Sequence, residues 1–247
     1  MSKNEPQVSG YCDSKFELVR EIFIQNFTQR NELGACVCLY KDGEKVVDLW
    51  GGHKDLKKTS LWDENTIVLM NSVAKSICSI STHILSDRGF IDLDAPVCNY
   101  WEEFGQAGKE NITVAHVLGH ECGAIFSDSA KPSDWYSYER QSAAIAAQAP
   151  AFEAGTNGGY NTVNIGFILG EVVRNVTGKN VGQFIRDEIS TPLNAEYQIG
   201  LTDEESVLLS DMHLNEKNAF WAMGSDTNSN LHRAWSGKPK DGDFLNS

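Results

Sequence analysis

Two residues, Asp42 and Gly43, restrict the possible folds of this chain more than any others. They stand between ACVCLYK and EKVVDLWGG, two runs rich in apolar side chains. An Asp-Gly pair in that setting signals a two-residue hairpin, so the chain contains an antiparallel pair of strands. A lone hairpin is marginal in water and needs more strands or a covering helix. The run SKFELVREIFIQNFTQR at 14–30 offers such a helix, because Phe16, Val19, Ile22, Phe23 and Phe27 recur at helical intervals. Two strands under one helix remain an unfinished sheet for 247 residues, a length that suits one large domain or two linked subdomains.

From residue 72 onward the pattern turns helical. The apolar run TIVLM at 66–70 reads as a strand leading into VAKSICSISTHILSDRG. In that helix Val73, Ile77, Ile80 and Ile84 form one stripe, and Gly89 is placed to stop it. TVAHVLGH, the run 142–149 and NIGFILGEVVRNVTG continue the helical theme between loops rich in Gly, Pro and Asn. The organisation is therefore a single domain over 1–247. An N-terminal helix and hairpin occupy 14–70, a mainly helical subdomain occupies 71–202, and a loop-rich tail fills 203–247.

The formal net charge of −13 argues against nucleic acid, whose phosphates call for clustered Lys and Arg. The first ten residues, MSKNEPQVSG, are polar and lack the apolar core of a signal peptide. No apolar run reaches the 18 residues of a membrane span. The expected setting is cytoplasmic, with no membrane partner. None of the six cysteines forms a CxxC pair, and in that compartment they are expected to be reduced core thiols. Cys36 and Cys38, two apart on a strand, share a face.

Ser72 precedes Lys75 by three residues in MNSVAKS. On a helix beginning at Ser72 the two side chains lie one turn apart on one face. A neutral amine there can take the serine proton, and the helix N-terminus favours the negative charge that develops. About one Ser-x-x-Lys is expected by chance in a chain of this size, so the motif alone is better read as a helix-start serine followed by a solvated lysine. Tyr160, in the Gly-rich loop AGTNGGYNT, can relay a proton beside a lysine, or simply pack. His116 and His120 are spaced like two ligands of HExxH, but Val117 replaces the glutamate, which leaves them a structural role. The chain contains neither Gly-x-Ser-x-Gly nor a phosphate-binding GxxxxGK[ST].

Taken together and in order, these segments resemble the penicillin-recognising serine hydrolases: class C serine β-lactamases, D-alanyl-D-alanine peptidases and family VIII esterases. Ala154-Gly155-Thr156 is similar to the family's turn before its tyrosine motif, and Tyr160-Asn161-Thr162 to the motif itself. DLWGGHKD, GFIDLDAPV, ITVAHVLGHECG and NVGQFIRDEISTPL extend the likeness over about residues 14–202. The resemblance implies an α/β (α+β) fold with an antiparallel sheet flanked by helices, a mostly helical subdomain, and a sheet incomplete in this chain. It implies Ser72, Lys75 and Tyr160 as catalytic residues, and Asn161 and Thr162 as substrate contacts. It also implies a small ester or amide substrate, and no metal or cofactor. Thr162 departs from the family's Asn or Ser. The family's third motif, Lys-Thr-Gly, His-x-Gly or Trp-x-Gly on a late strand, has no clear counterpart. Trp235-Ser236-Gly237 mimics it in polar surroundings and reads as a chance match. The expectation is an acyl-transfer hydrolase whose sheet is finished by a missing C-terminal segment or a second chain. The alternative is a catalytically inactive binding or structural protein of the same fold.

Overall fold

The computed structural model describes residues 7–212 and 233–234. They fall in two compact units: 7–69 with 201–212, and 70–200 with 233–234.

In the first unit the hairpin forms where Asp42-Gly43 places it. Strands β2 (Gly34–Lys41) and β3 (Glu44–Gly52) pair antiparallel, with Lys41 opposite Glu44. Both turn residues have positive φ, 51° and 83°, which twists the turn to match the strands. A third strand, β1 (Val8–Cys12), pairs antiparallel with the other edge of β3, giving the order β1-β3-β2. Among the described residues the sheet thus has three strands rather than the two legible in the sequence. Helix α1 (Glu17–Gln29) covers one face. Phe23, Val47 and Leu49 are buried there, with Phe16, Val19 and Phe27 packed around them. Cys36, Cys38, Asp48, Trp50 and Tyr11 share the other face, because Trp50 lies opposite Cys36, and Asp48 lies opposite Cys38 and Tyr11. Cys36 and Cys38 are exposed free thiols there, not core residues. The run TIVLM does not form a strand. Ile67 makes only an isolated parallel bridge to Leu209, through Ile67 N–H to Leu208 O (3.0 Å) and Ser210 N–H to Ile67 O (2.9 Å).

The second unit is helical, and none of its described residues lies in a named strand. Its centre is a pair of helices, α2 (Ala74–Asp87) and α5 (Asn164–Thr177). Between them in sequence lie α3 (Val114–Leu118) and α4 (Tyr138–Ala147). Helix α5 buries Ile165, Ile168, Leu169, Val172 and Val173, one stripe at helical spacing. Each such side chain contributes about 1.5–3 kcal/mol when fully buried. The α2 stripe expected from sequence is corrected by the structure. Val73 and Ile80 are exposed, and the buried positions are Cys78, Ser81, Thr82 and Leu85. Ser81 and Thr82 can sit inside because each hydroxyl donates to the carbonyl four residues back, Ile77 O and Cys78 O, at 3.0 Å. Gly89 ends α2 as expected, with Gly89 N–H on Ser86 O and Phe90 N–H on Leu85 O, both at 2.9 Å.

Candidate active site

Ser72 lies at the entry to α2, in a short 3-10 turn (Asn71–Val73) that runs directly into the helix. Asn71 just before it has φ 46°, a left-handed conformation that asparagine tolerates better than most residues. The turn leaves Ser72 exposed. One turn along, Lys75 Nζ donates to Ser72 Oγ at 3.2 Å. The same ammonium lies 5.1 Å from the centre of the Tyr160 ring. Two segments far apart in sequence thus bring Ser72, Lys75 and Tyr160 together within the second unit.

The loop that carries Tyr160 is tied to the segment following α3 by successive backbone bonds. Ala151 N–H donates to Gly123 O (2.8 Å), Gly155 N–H to Glu121 O (3.0 Å) and Gly159 N–H to His120 O (2.9 Å). Gly123 is required here. Its φ is +66°, and a Cβ built on it would meet the Phe152 carbonyl oxygen at 2.4 Å. The last rung uses a side chain: Asn161 N–H donates to His120 Nδ1 at 3.0 Å. The His120 and Tyr160 rings lie 4.9 Å apart at 44°. Burial, reinforced by the Lys75 ammonium, pushes the His120 imidazole below its usual pKa.

Asn161, expected among the substrate contacts, has its side chain fully buried. Its Nδ2 donates to Ala124 O (3.2 Å) and Cys122 Sγ (3.6 Å), and its Oδ1 accepts from Ile165 N–H (3.0 Å) in the first turn of α5. The side chain is therefore turned into the fold, where it satisfies one of the helix-start amides. Thr162 is half-buried, and its hydroxyl donates to Tyr160 O at 3.4 Å. His116 has the structural role expected of it. Its Nδ1 accepts from Thr113 N–H (3.2 Å), closing a capping box at the start of α3. The spacing of the two histidines gave no hint that His120 meets the tyrosine loop, since that contact joins residues 41 apart. Trp235-Ser236-Gly237 lies outside the described residues.

A model of the Beta-lactamase family matches residues 19–229. Esterase/beta-lactamase LipL of Mycobacterium tuberculosis is 31% identical over 190 residues, which make up 77% of this chain and 44% of that protein. A novel penicillin-binding protein homolog from Caulobacter crescentus superposes with a TM-score of 0.82 at 32% identity, over 95% of this chain and 64% of that one. A family VIII carboxylesterase superposes with a TM-score of 0.80 at 35% identity, over 94% and 66%. The chain spans less than half the length of the curated relatives it matches and just under two thirds of these two structures.

Proposed function

The chain belongs to the beta-lactamase family and has its mixed α/β fold, and from that premise we propose that it is a serine hydrolase acting through an acyl-enzyme on a small ester or amide. The observation that carries this reading is the 3.2 Å approach of Lys75 Nζ to Ser72 Oγ, with the Tyr160 ring beside the same nitrogen. In its neutral form Lys75 takes the Ser72 proton as Oγ bonds to the carbonyl carbon. The carbonyl π electrons move to oxygen, and the Ser72 backbone N–H donates to that oxyanion. Collapse of the adduct breaks the ester or amide bond. The leaving group departs with a proton passed through Lys75 and Tyr160. Water, activated by the same pair, then releases the acid and restores Ser72. In this reading Asn161 positions the loop, and Thr162 is the substrate contact of the motif.

A fluorophosphonate, which phosphonylates activated serines, tests the assignment. Intact-protein mass spectrometry is expected to find one adduct on the wild type and none on Ser72→Ala. An undiminished adduct on Ser72→Ala would remove Ser72 from the mechanism.

Two observations favour a second reading, a protein of this fold that binds without turnover. The Asn161 side chain is fully engaged inside the fold. Among the described residues, β2 pairs with β3 on one edge and with no strand on the other. Such an edge accepts a strand, either from a further segment of the same protein or from a second chain. A folded wild type that takes no adduct selects this reading. We also place the protein in the cytoplasm, a reading supported by the exposed free thiols Cys36 and Cys38, which suit a reducing compartment.

A further inference from the structure

The two peptide groups that flank Tyr160 are both held by one residue. Gly159 N–H donates to the carbonyl oxygen of His120, and Asn161 N–H donates to its ring nitrogen Nδ1. The imidazole itself lies against the Tyr160 ring. Because Nδ1 accepts a hydrogen bond, the neutral ring carries its proton on Nε2. We propose that His120 is a positioning residue for Tyr160, and that protonating Nδ1 releases the Tyr160 loop and switches the site off on acidification. A protonated Nδ1 is a donor and faces the Asn161 N–H, also a donor, so the contact turns from attractive to repulsive. The inference rests on the reading of Ser72, Lys75 and Tyr160 as an acylating site.

The backbone at His120 agrees with this role. Its φ is 59°, a left-handed conformation that histidine, like Asn and Asp, adopts more readily than most residues. That turn, at the end of α3, directs both the carbonyl and the ring at the Tyr160 loop. The groups that act on the imidazole are Lys75 from α2 and the Tyr160 ring from the loop, and Glu121 and Cys122 are the titratable residues next to it in its own segment. His116, one turn back in α3, is engaged with Thr113. Burial and the Lys75 ammonium both favour the neutral ring, so the holding form predominates at neutral pH.

The test is the rate of Ser72 labelling by the fluorophosphonate from about pH 5 to 8, across the range where histidine titrates. It compares the wild type with His120→Asn and His120→Phe. Asparagine places Oδ1 where Nδ1 stands, accepts the left-handed φ and does not titrate. Any other group in the site that takes up a proton acts on both proteins alike, so the rate of His120→Asn relative to the wild type should rise about tenfold between neutral pH and pH 5. His120→Phe keeps a ring against Tyr160 but no acceptor, and should be slower by about 10²-fold at every pH. An acid limb unchanged in His120→Asn, or a wild-type rate in His120→Phe, overturns the proposal. If the folded wild type takes no label at all, the acylating reading fails, and the positioning is read separately by NMR. The Asn161 amide resonance should then titrate with the His120 ring at a common midpoint, and should not titrate in His120→Asn. An Asn161 amide that stays still while His120 titrates sinks the inference.

Discussion

Lys109 has no solvent exposure, and the way its charge is accommodated explains why the residue is there. Its ammonium donates to Gln106 O (2.9 Å), Ala146 O (2.7 Å) and Gln148 O (2.6 Å), and lies 5.2 Å from the centre of the Phe104 ring. Two of these carbonyls belong to the end of α4, where helix carbonyls lack partners and the dipole favours a cation. Lys109→Met removes all three bonds and should destabilise the protein by about 2 kcal/mol, measured by urea unfolding. Burial also pushes the Lys109 pKa down to about 8. Between that value and about 10.4, its value in an unfolded chain, the unfolded state holds more of this proton than the native state does. The contribution of Lys109 to stability therefore rises with pH across that window. The wild type should gain stability relative to Lys109→Met as the pH moves from about 8 to 10. A constant difference would mean that the ammonium keeps its proton throughout.

At the scale of the element, α5 depends on a residue outside it. Asn161 satisfies the Ile165 amide and fastens the helix start to Cys122 and Ala124. Asn161→Ala should cost about 2 kcal/mol, read as a lower denaturation midpoint, and should slow Ser72 labelling because Tyr160 is the adjacent residue. Wild-type labelling in that variant would separate the anchoring of α5 from the placement of Tyr160. The elements differ in how far sequence disclosed them. The hairpin was legible because Asp42-Gly43 fixes the turn, although the register shifts between Leu39 and Tyr40, and α5 because Ile165, Ile168, Leu169, Val172 and Val173 recur at helical spacing, although Asn164 and Glu171 are buried with them. The buried face of α2 was not. Ser81 and Thr82 look like surface residues until each hydroxyl is returned to its own helix, and that bond is invisible in a hydropathy pattern. Strand β1 was hidden for a related reason: VSGYC is short, and it carries Gly10 because a Cβ there would meet the Asp48 carbonyl oxygen at 2.0 Å.

For the whole molecule, the fold class came from the order of several weak signals rather than from any one of them. Ser-x-x-Lys alone occurs by chance, and a loop tyrosine alone is unremarkable. Their succession, with Gly-rich turns at set places, is what matched the family. That logic stops at contacts between distant residues, which is why the use of the Asn161 side chain and the grip of His120 on Tyr160 had no sequence signature. The solvent face of the sheet bears on the molecule as a unit in solution. Cys36 and Cys38 point the same way from one strand, about 6.8 Å apart along it. Their Cβ atoms therefore cannot approach the roughly 3.8 Å that a disulfide requires. Oxidation cannot join Cys36 to Cys38, and each is left to couple with a thiol elsewhere, as when two such faces meet. Burial and the Asp48 carboxylate hold the Cys36 thiol above its usual pKa, so the coupling is slow at neutral pH. Left without reductant, the protein should show a ladder on a non-reducing gel, which Cys36→Ser shortens to a dimer band. In the language of polymer chemistry, this face alone has a functionality of two, so air links single chains through it into strings whose length is set by the supply of a one-thiol terminator.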